Sequence, residues 1–318
     1  MTTNNSTQRY DIIHILTQNV SKEISIEPKL IVAHCIGLPL LDVIEGLTLS
    51  SPKDGEKTKG LGVSAHYFIP QISGAEFMSE MITAGLSLNT QHLTFPNQPP
   101  VICFAQENQR TLHAGHSHWG QFNEIPGCEV GLNSCSIGIE FHAPGYGKDV
   151  TGNQDWFTFI PYSELQIEVG VLLMKDIIVR WKINPKNVLA HSDISPYLCS
   201  AGETPGRIKT DPGALFPWPY LAEKGLGFYP PSTPLRNAFK QMSQQEKENN
   251  IRTHLHAIGY NILTDASLPW GVTEKYIVNA YKMHYMQKEY SICHPDSHDF
   301  GQIDEALMMS LESWQEAT

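Results

Sequence analysis

Apolar positions recur along this chain in two rhythms. "KLIVAHCIGL" (29–38) is a short apolar run bounded by Pro28 and Gly37, and "GVSAHYFIP" (62–70) is a second; both read as buried strands. "SCSIGIEFHAP" (134–144) reads as a third, with Ile137, Ile139 and Phe141 on one face. After Pro161 the spacing changes to three or four residues through Leu165, Val169, Leu172, Leu173, Ile177 and Trp181. The run stops before Asn184-Pro185, which predicts one long helix. "NVLAH" then reads as a fourth short strand ending on His191. Strands alternating with a long helix predict an α/β architecture, a mixed central sheet flanked by helices.

The period disappears in "GLGFYPPSTP" (225–234), which reads as a linker. Beyond it the pattern is helical: Leu235 to about Asn249, then "RTHLHAIGY" closed by Gly259, then a stripe of Ile277, Ala280, Tyr281 and His284, and finally "IDEALMMSLESW". The expected division is an N-terminal extension over 1–28, an α/β domain over 29–224, a linker over 225–233 and a small all-α domain over 234–318.

With 318 residues, 41% of them apolar, the chain can bury substantial cores. The 22 Lys and Arg stand against 33 Asp and Glu, a net charge of −11 with no basic run, which argues against a nucleic-acid partner. No stretch approaches the roughly 20 apolar residues of a membrane-spanning helix. The start, "MTTNNSTQRYDIIHILTQNV", shows no basic leader followed by an apolar core, so the expected location is cytoplasmic, with periplasmic or non-classical export as the alternative. Six cysteines without a CxxC pair are too sparse for a disulfide framework; Cys199, between His191 and Asp211, is the one placed to touch a metal.

His34, Glu140 and His191 fall at the ends of predicted strands. Together with Asp211 they suggest a zinc site, because two neutral imidazoles and one carboxylate leave a fourth position for a water that the metal acidifies. No local spacing joins them, and a histidine at a strand end is equally a hydrogen-bonded structural residue. The segment "HSDISPYLCSAGETPGRIKTDPGALFPW" (191–218), which holds His191, Lys209 and Asp211, has otherwise the composition of a surface loop.

Five stretches in order, "VSAHYFI", "HAGHSHW", "NSCSIGIEF", "LAHSDISP" and "KTDPGALFPW", resemble the successive motifs of the zinc-dependent N-acetylmuramoyl-L-alanine amidases of the type 2 family, relatives of peptidoglycan recognition proteins and T7-type lysozyme. The resemblance covers roughly residues 29 to 222. It implies one Zn²⁺ held by His34, His191 and Asp211, Glu140 as general base, and Lys209 as the cation that meets the developing oxyanion. It makes His66 structural and places His113 at the edge of a substrate groove that Trp119 either lines or backs as a core residue. Asp193 reads as a turn-former or as support for a ligand. Two features depart from the family pattern: twenty residues separate His191 from Asp211, a longer loop than is usual, and Cys35-Ile36 follow the first ligand. "IRTHLHAIGYNI" is similar to part of a three-helix peptidoglycan-binding module, the other reading being a helical appendage that packs on the catalytic domain. The implied activity is hydrolysis of the bond between N-acetylmuramic acid and L-alanine in peptidoglycan or muropeptides. The alternatives are a non-catalytic muropeptide-binding protein and an exported lytic toxin or endolysin.

Overall fold

The structure is a computed structural model that describes residues 9–49, 61–86, 93–143, 161–196, 209–231, 239, 241–265, 267–287 and 300–316. Cys199 and the greater part of the long loop between His191 and Asp211 lie outside these residues.

Strand β3 (Leu30–Ile36) is buried on both faces over its first five residues, as its near-continuous apolar run requires. It lies between β7 (Ser136–His142) and β8 (Val188–Ala190), parallel to both. With β1 (Ile12–His14), β4 (Tyr67–Ile69) and β5 (Val101–Cys103) they form a six-stranded sheet in the order β1-β5-β4-β7-β3-β8, in which only β4 and β5 run antiparallel. Strands β2 (Val20–Ser25) and β6 (Gln109–Thr111) form a separate antiparallel ribbon. The mixed sheet expected from the pattern is present. Short strands β1 and β5 carried no period long enough to be seen, and β1 draws part of the expected N-terminal extension into the sheet edge.

The helix expected after Pro161 is α3 (Glu164–Trp181). Ser163 caps it by accepting the Gln166 N–H, and Lys182 ends it in the left-handed conformation at φ 53°. Its apolar stripe, including Ile167, Leu173, Met174 and Ile177, covers the sheet face formed by Ile31, Ala33, Ile137, Ile139 and Phe141. Gly170 is required where α3 crosses β7, because a Cβ there would lie 2.6 Å from the Phe141 ring. Gln166, fully buried, donates to the carbonyls of Ile69 and His142 and so ties α3 to two strands.

The opposite face is covered in two parts. Helices α1 (Leu40–Thr48) and α2 (Gly74–Thr83) pack on Phe68, Ile102 and Phe104. The C-terminal helices pack on Leu30, Val32 and Leu189; these are α6 (Gln244–Ile258), α7 (Val272–Tyr285) and α8 (Glu305–Glu316), preceded in the chain by the short α4 (His191–Ile194) and α5 (Trp218–Glu223). Helix α6, capped by Ser243, joins the end of the first stretch expected as a helix to the second and ends at Gly259, whose φ is 134°. Ile251, Leu255, Tyr260, Tyr281 and Leu311 share one apolar cluster with Leu30, Val32 and Trp119, so the C-terminal region and the sheet are built around a continuous core. Among the described residues no helix is long and apolar enough to cross a membrane.

Candidate functional site

In the parallel register of β3 and β7, His34 stands directly beside Glu140, and Ala33 pairs with Ala190, which places His191 one step beyond the end of β8. Three chemically useful side chains therefore meet at the carboxyl ends of adjacent parallel strands, the usual ligand-binding edge of such sheets. Asp211 enters from the loop and is held by its backbone, its carbonyl accepting the Ser192 N–H at 3.0 Å.

His34 Nδ1 lies 2.9 Å from His191 Nδ1 and 3.2 Å from Asp211 Oδ2, and His191 Nδ1 lies 3.1 Å from the same oxygen. Donors around a tetrahedral zinc at bonds of about 2.0–2.1 Å would be separated by about 3.4 Å, so the three atoms are nearly at ligand spacing. All three residues are buried, and they form the one group of three or more metal-ligating side chains among the described residues. Burial first, then the His191 charge, lowers the His34 pKa to about 4, which leaves the ring neutral and able to ligate. For Asp211 burial acts to raise the pKa. The His191 charge and the close polar contacts with His191 and His34 outweigh it and hold the carboxyl well below the usual range. The neutral imidazole of His34 and the ionised carboxylate of Asp211 are the protonation states a zinc site needs of those two residues.

The tautomer of His34 is set from behind. Ser136 Oγ donates to the Leu132 carbonyl at 2.7 Å, so toward His113 Nε2, 3.1 Å away, it can only accept. His113 is neutral because burial, and then the charges of His34, His66 and His191, hold its pKa well below the usual value. With its proton on Nε2 it must accept at Nδ1 from His34 Nε2, 3.0 Å away. That leaves the lone pair of His34 Nδ1 facing Asp211 and His191, as a metal requires. Gly138 makes room for this relay: a Cβ there would fall 2.5 Å from His113 Cγ.

Glu140 is half-buried, and its Oε2, which is out of contact with solvent, has no partner among the described residues. Burial, reinforced by the Asp211 charge, raises its carboxyl to about 8, while Lys209 acts to lower it. A cation held by the neighbouring ligands would pull it back down. The backbone N–H of Lys209 donates to the Ser195 carbonyl at 3.2 Å, and its charge reaches His34, Glu140 and Asp211.

The structure thus brings together His34, Glu140, His191, Lys209 and Asp211. It places His113 inside the fold behind His34, not on a groove wall. Trp119 is also in the core, edge-on to Tyr260 at 4.9 Å and in contact with Gly259 of the C-terminal region. His66 is fully buried, donating through Nε2 to the Gln109 carbonyl at 2.9 Å and accepting the Gly138 N–H at 3.1 Å. Sequence reasoning missed Ser136 and Gly138. The small-residue alternation in "SCSIGIE", opposite the bulky face of the same strand, was the available signal.

Residues 25–214 match the N-acetylmuramoyl-L-alanine amidase family profile. A curated relative, the N-acetylmuramoyl-L-alanine amidase AmiD of Escherichia coli, is 32% identical over 168 residues, covering 53% of this chain and 46% of that protein, so the match spans less than half the length of the relative. Among solved structures, E. coli AmiD in complex with anhydro-N-acetylmuramic acid-L-Ala-D-gamma-Glu-L-Lys superposes with a TM-score of 0.62 at 24% identity, over 93% of this chain and 92% of that one. AmpDh3 of Pseudomonas aeruginosa superposes with a TM-score of 0.60 at 22% identity, over 100% of this chain and 98% of the other. The fold extends to the C-terminal helices in both comparisons, and the profile match takes in the four strand-borne and loop-borne residues His34, Glu140, His191 and Asp211. On this match the chain belongs to the N-acetylmuramoyl-L-alanine amidase family.

Proposed function

We propose that the protein is a zinc-dependent amidase that hydrolyses the bond between the lactyl group of N-acetylmuramic acid and the L-alanine of the stem peptide. The supporting observation is the convergence of His34 Nδ1, His191 Nδ1 and Asp211 Oδ2 beside Glu140, whose Oε2 has no partner among the described residues. Zinc held by those three atoms would supply a Lewis acid for the amide carbonyl and a lowered pKa for the attacking water. Glu140 takes the proton of that water as its oxygen bonds to the carbonyl carbon, and returns it to the nitrogen of L-alanine as the C–N bond breaks. The Lys209 ammonium meets the negative charge that develops on the carbonyl oxygen. His113 and Ser136 take no proton in this scheme and keep the His34 ring in its ligating tautomer.

Ligands bound to the relatives suggest anhydromuramyl peptides as the soluble substrates to test first. Incubation of the zinc-loaded protein with anhydro-N-acetylmuramyl-L-Ala-D-γ-Glu-L-Lys is expected to release the free anhydro sugar and a peptide with a new L-alanine amine. Chelation should stop the release and added zinc restore it. Stoichiometric zinc with tight binding and no cleavage would instead support a muropeptide-binding protein.

A further inference from the structure

Asp193 lies two residues beyond His191 and is fully buried. Its Oδ2 accepts the Ala190 N–H at 2.8 Å and His284 Nδ1 at 2.5 Å, and its Oδ1 accepts the Tyr260 hydroxyl at 2.6 Å. Ala190 ends β8 and His191 opens α4, so the first bond closes the turn from which the His191 ring projects. The other two donors come from the C-terminal region, His284 from α7 and Tyr260 from just beyond α6. The His284 ring cannot swing away, because it is stacked between Trp218 at 3.7 Å and Tyr285 at 3.8 Å. Just past the same helix, Gln287 Nε2 donates to the carbonyls of Ala214 at 2.6 Å and Phe216 at 2.7 Å, in the stretch that follows Asp211. Helix α4 in turn holds Asp211 through the Ser192 N–H. His34 lies within β3 and is fixed by its pairing with Glu140 of β7, while the preceding Ala33 pairs with Ala190 of β8. The segments carrying His191 and Asp211 lack that support, and both are gripped by the end of α7.

We propose that the C-terminal helical region completes the metal centre, with Tyr260 and His284 as positioning residues that act through Asp193 to hold His191, and with it Asp211, at ligand spacing. The inference rests on the metal reading of the site. It differs in kind from a wall-binding tether, which raises the effective concentration of a polymeric substrate and leaves the metal centre untouched. Supporting groups of this type are worth roughly 10–100-fold in metal affinity, because a ligand free to wander pays for its ordering when the ion binds.

The test is zinc affinity of the full chain by competition with a chromophoric chelator, together with the visible absorption of the cobalt-substituted protein. Tyr260→Phe with His284→Phe removes both donors and keeps the aromatic stack; it should weaken zinc binding by roughly 10–100-fold and alter the cobalt spectrum. Leu311→Ala, a cavity in the same apolar core with no tie to Asp193, should lower the unfolding temperature and leave zinc affinity and spectrum as in the parent. Unchanged zinc affinity in the folded double variant overturns the inference, and so does an equal loss in Leu311→Ala. Should the double variant fail to fold, Tyr260→Phe alone, which loses only a hydroxyl, decides by the same titration. A parent protein that takes up no zinc would overturn the metal reading itself, a result distinct from a parent that binds zinc as well as its variants do.

Discussion

Two buried histidine–aspartate clusters lie within a few residues of each other and are wired in opposite senses. Around Asp193 every contact pairs a donor with an acceptor: a backbone N–H, a phenol and an imidazole N–H all point at one carboxylate. Around Asp211 two imidazole nitrogens and a carboxylate oxygen face one another at 2.9–3.2 Å, and because His113 accepts the Nε2 proton behind it, His34 turns a lone pair on Nδ1, not a proton, into the gap. Buried polar atoms are normally matched. Both oxygens of Asp193 are matched in this way, with His284 Nε2 on the far side of its ring the atom left without a partner among the described residues, whereas the three atoms around Asp211 form a group that could hold a cation. Residue type does not separate the two, since both consist of histidine and aspartate; the direction of the protons does.

The largest effect is expected from the mismatched cluster. His191→Ala or Asp211→Ala should abolish amide hydrolysis and reduce bound zinc to background by elemental analysis, because two protein ligands do not make the open tetrahedral site. Retention of full zinc in either variant would break the comparison at its centre. Next in size, Glu140→Gln should keep zinc and substrate affinity and lose roughly 10²–10⁴-fold in turnover, measured by release of the free muramyl sugar. Equal losses of zinc and turnover would move Glu140 from proton transfer to ligand support. Smaller again is Gly138→Ala, whose methyl displaces the His113 ring: a loss of about 1–3 kcal/mol in a denaturant titration for overpacking, with zinc affinity weakened by roughly tenfold as the His34 tautomer loses its support. Stability lost with zinc affinity intact would reduce His113 to packing. The smallest is His116→Ala, an exposed side chain in the same histidine-rich stretch. It should shift stability by less than about 0.5 kcal/mol and leave zinc content unchanged, showing that a histidine counts here only when its lone pair is aimed.

The main strands of the sheet were legible because a strand buried on both faces must be apolar throughout, as "LIVA" in β3 is, and α3 was legible because one of its faces meets the sheet. Strands β1 and β5, three residues each, carry too few positions for a period. The candidate ligands were visible as residue types at strand ends. Their grouping was not, since 157 residues separate His34 from His191 and no local rule spans that distance. The expected groove-edge position of His113 was drawn from motif position, and tertiary packing put its ring inside; of the two positions open to Trp119, packing chose the core. The C-terminal stretch read as a separate helical unit because periodicity reports which face of a helix is apolar and says nothing of what covers it.

By itself, then, the sequence determined where apolar faces lie, where helices start and stop, and which acids, bases and ligating side chains the protein has to work with, because these follow from local sterics and solvation. Which of fourteen histidines share one point, which of their nitrogens hold protons, and that Tyr260 and His284 brace the segment carrying His191 were decided only by the tertiary structure. Hydrogen-bond direction and ligand spacing are relations between residues far apart in the chain, and they exist only once the sheet register and the helix packing have set the distances.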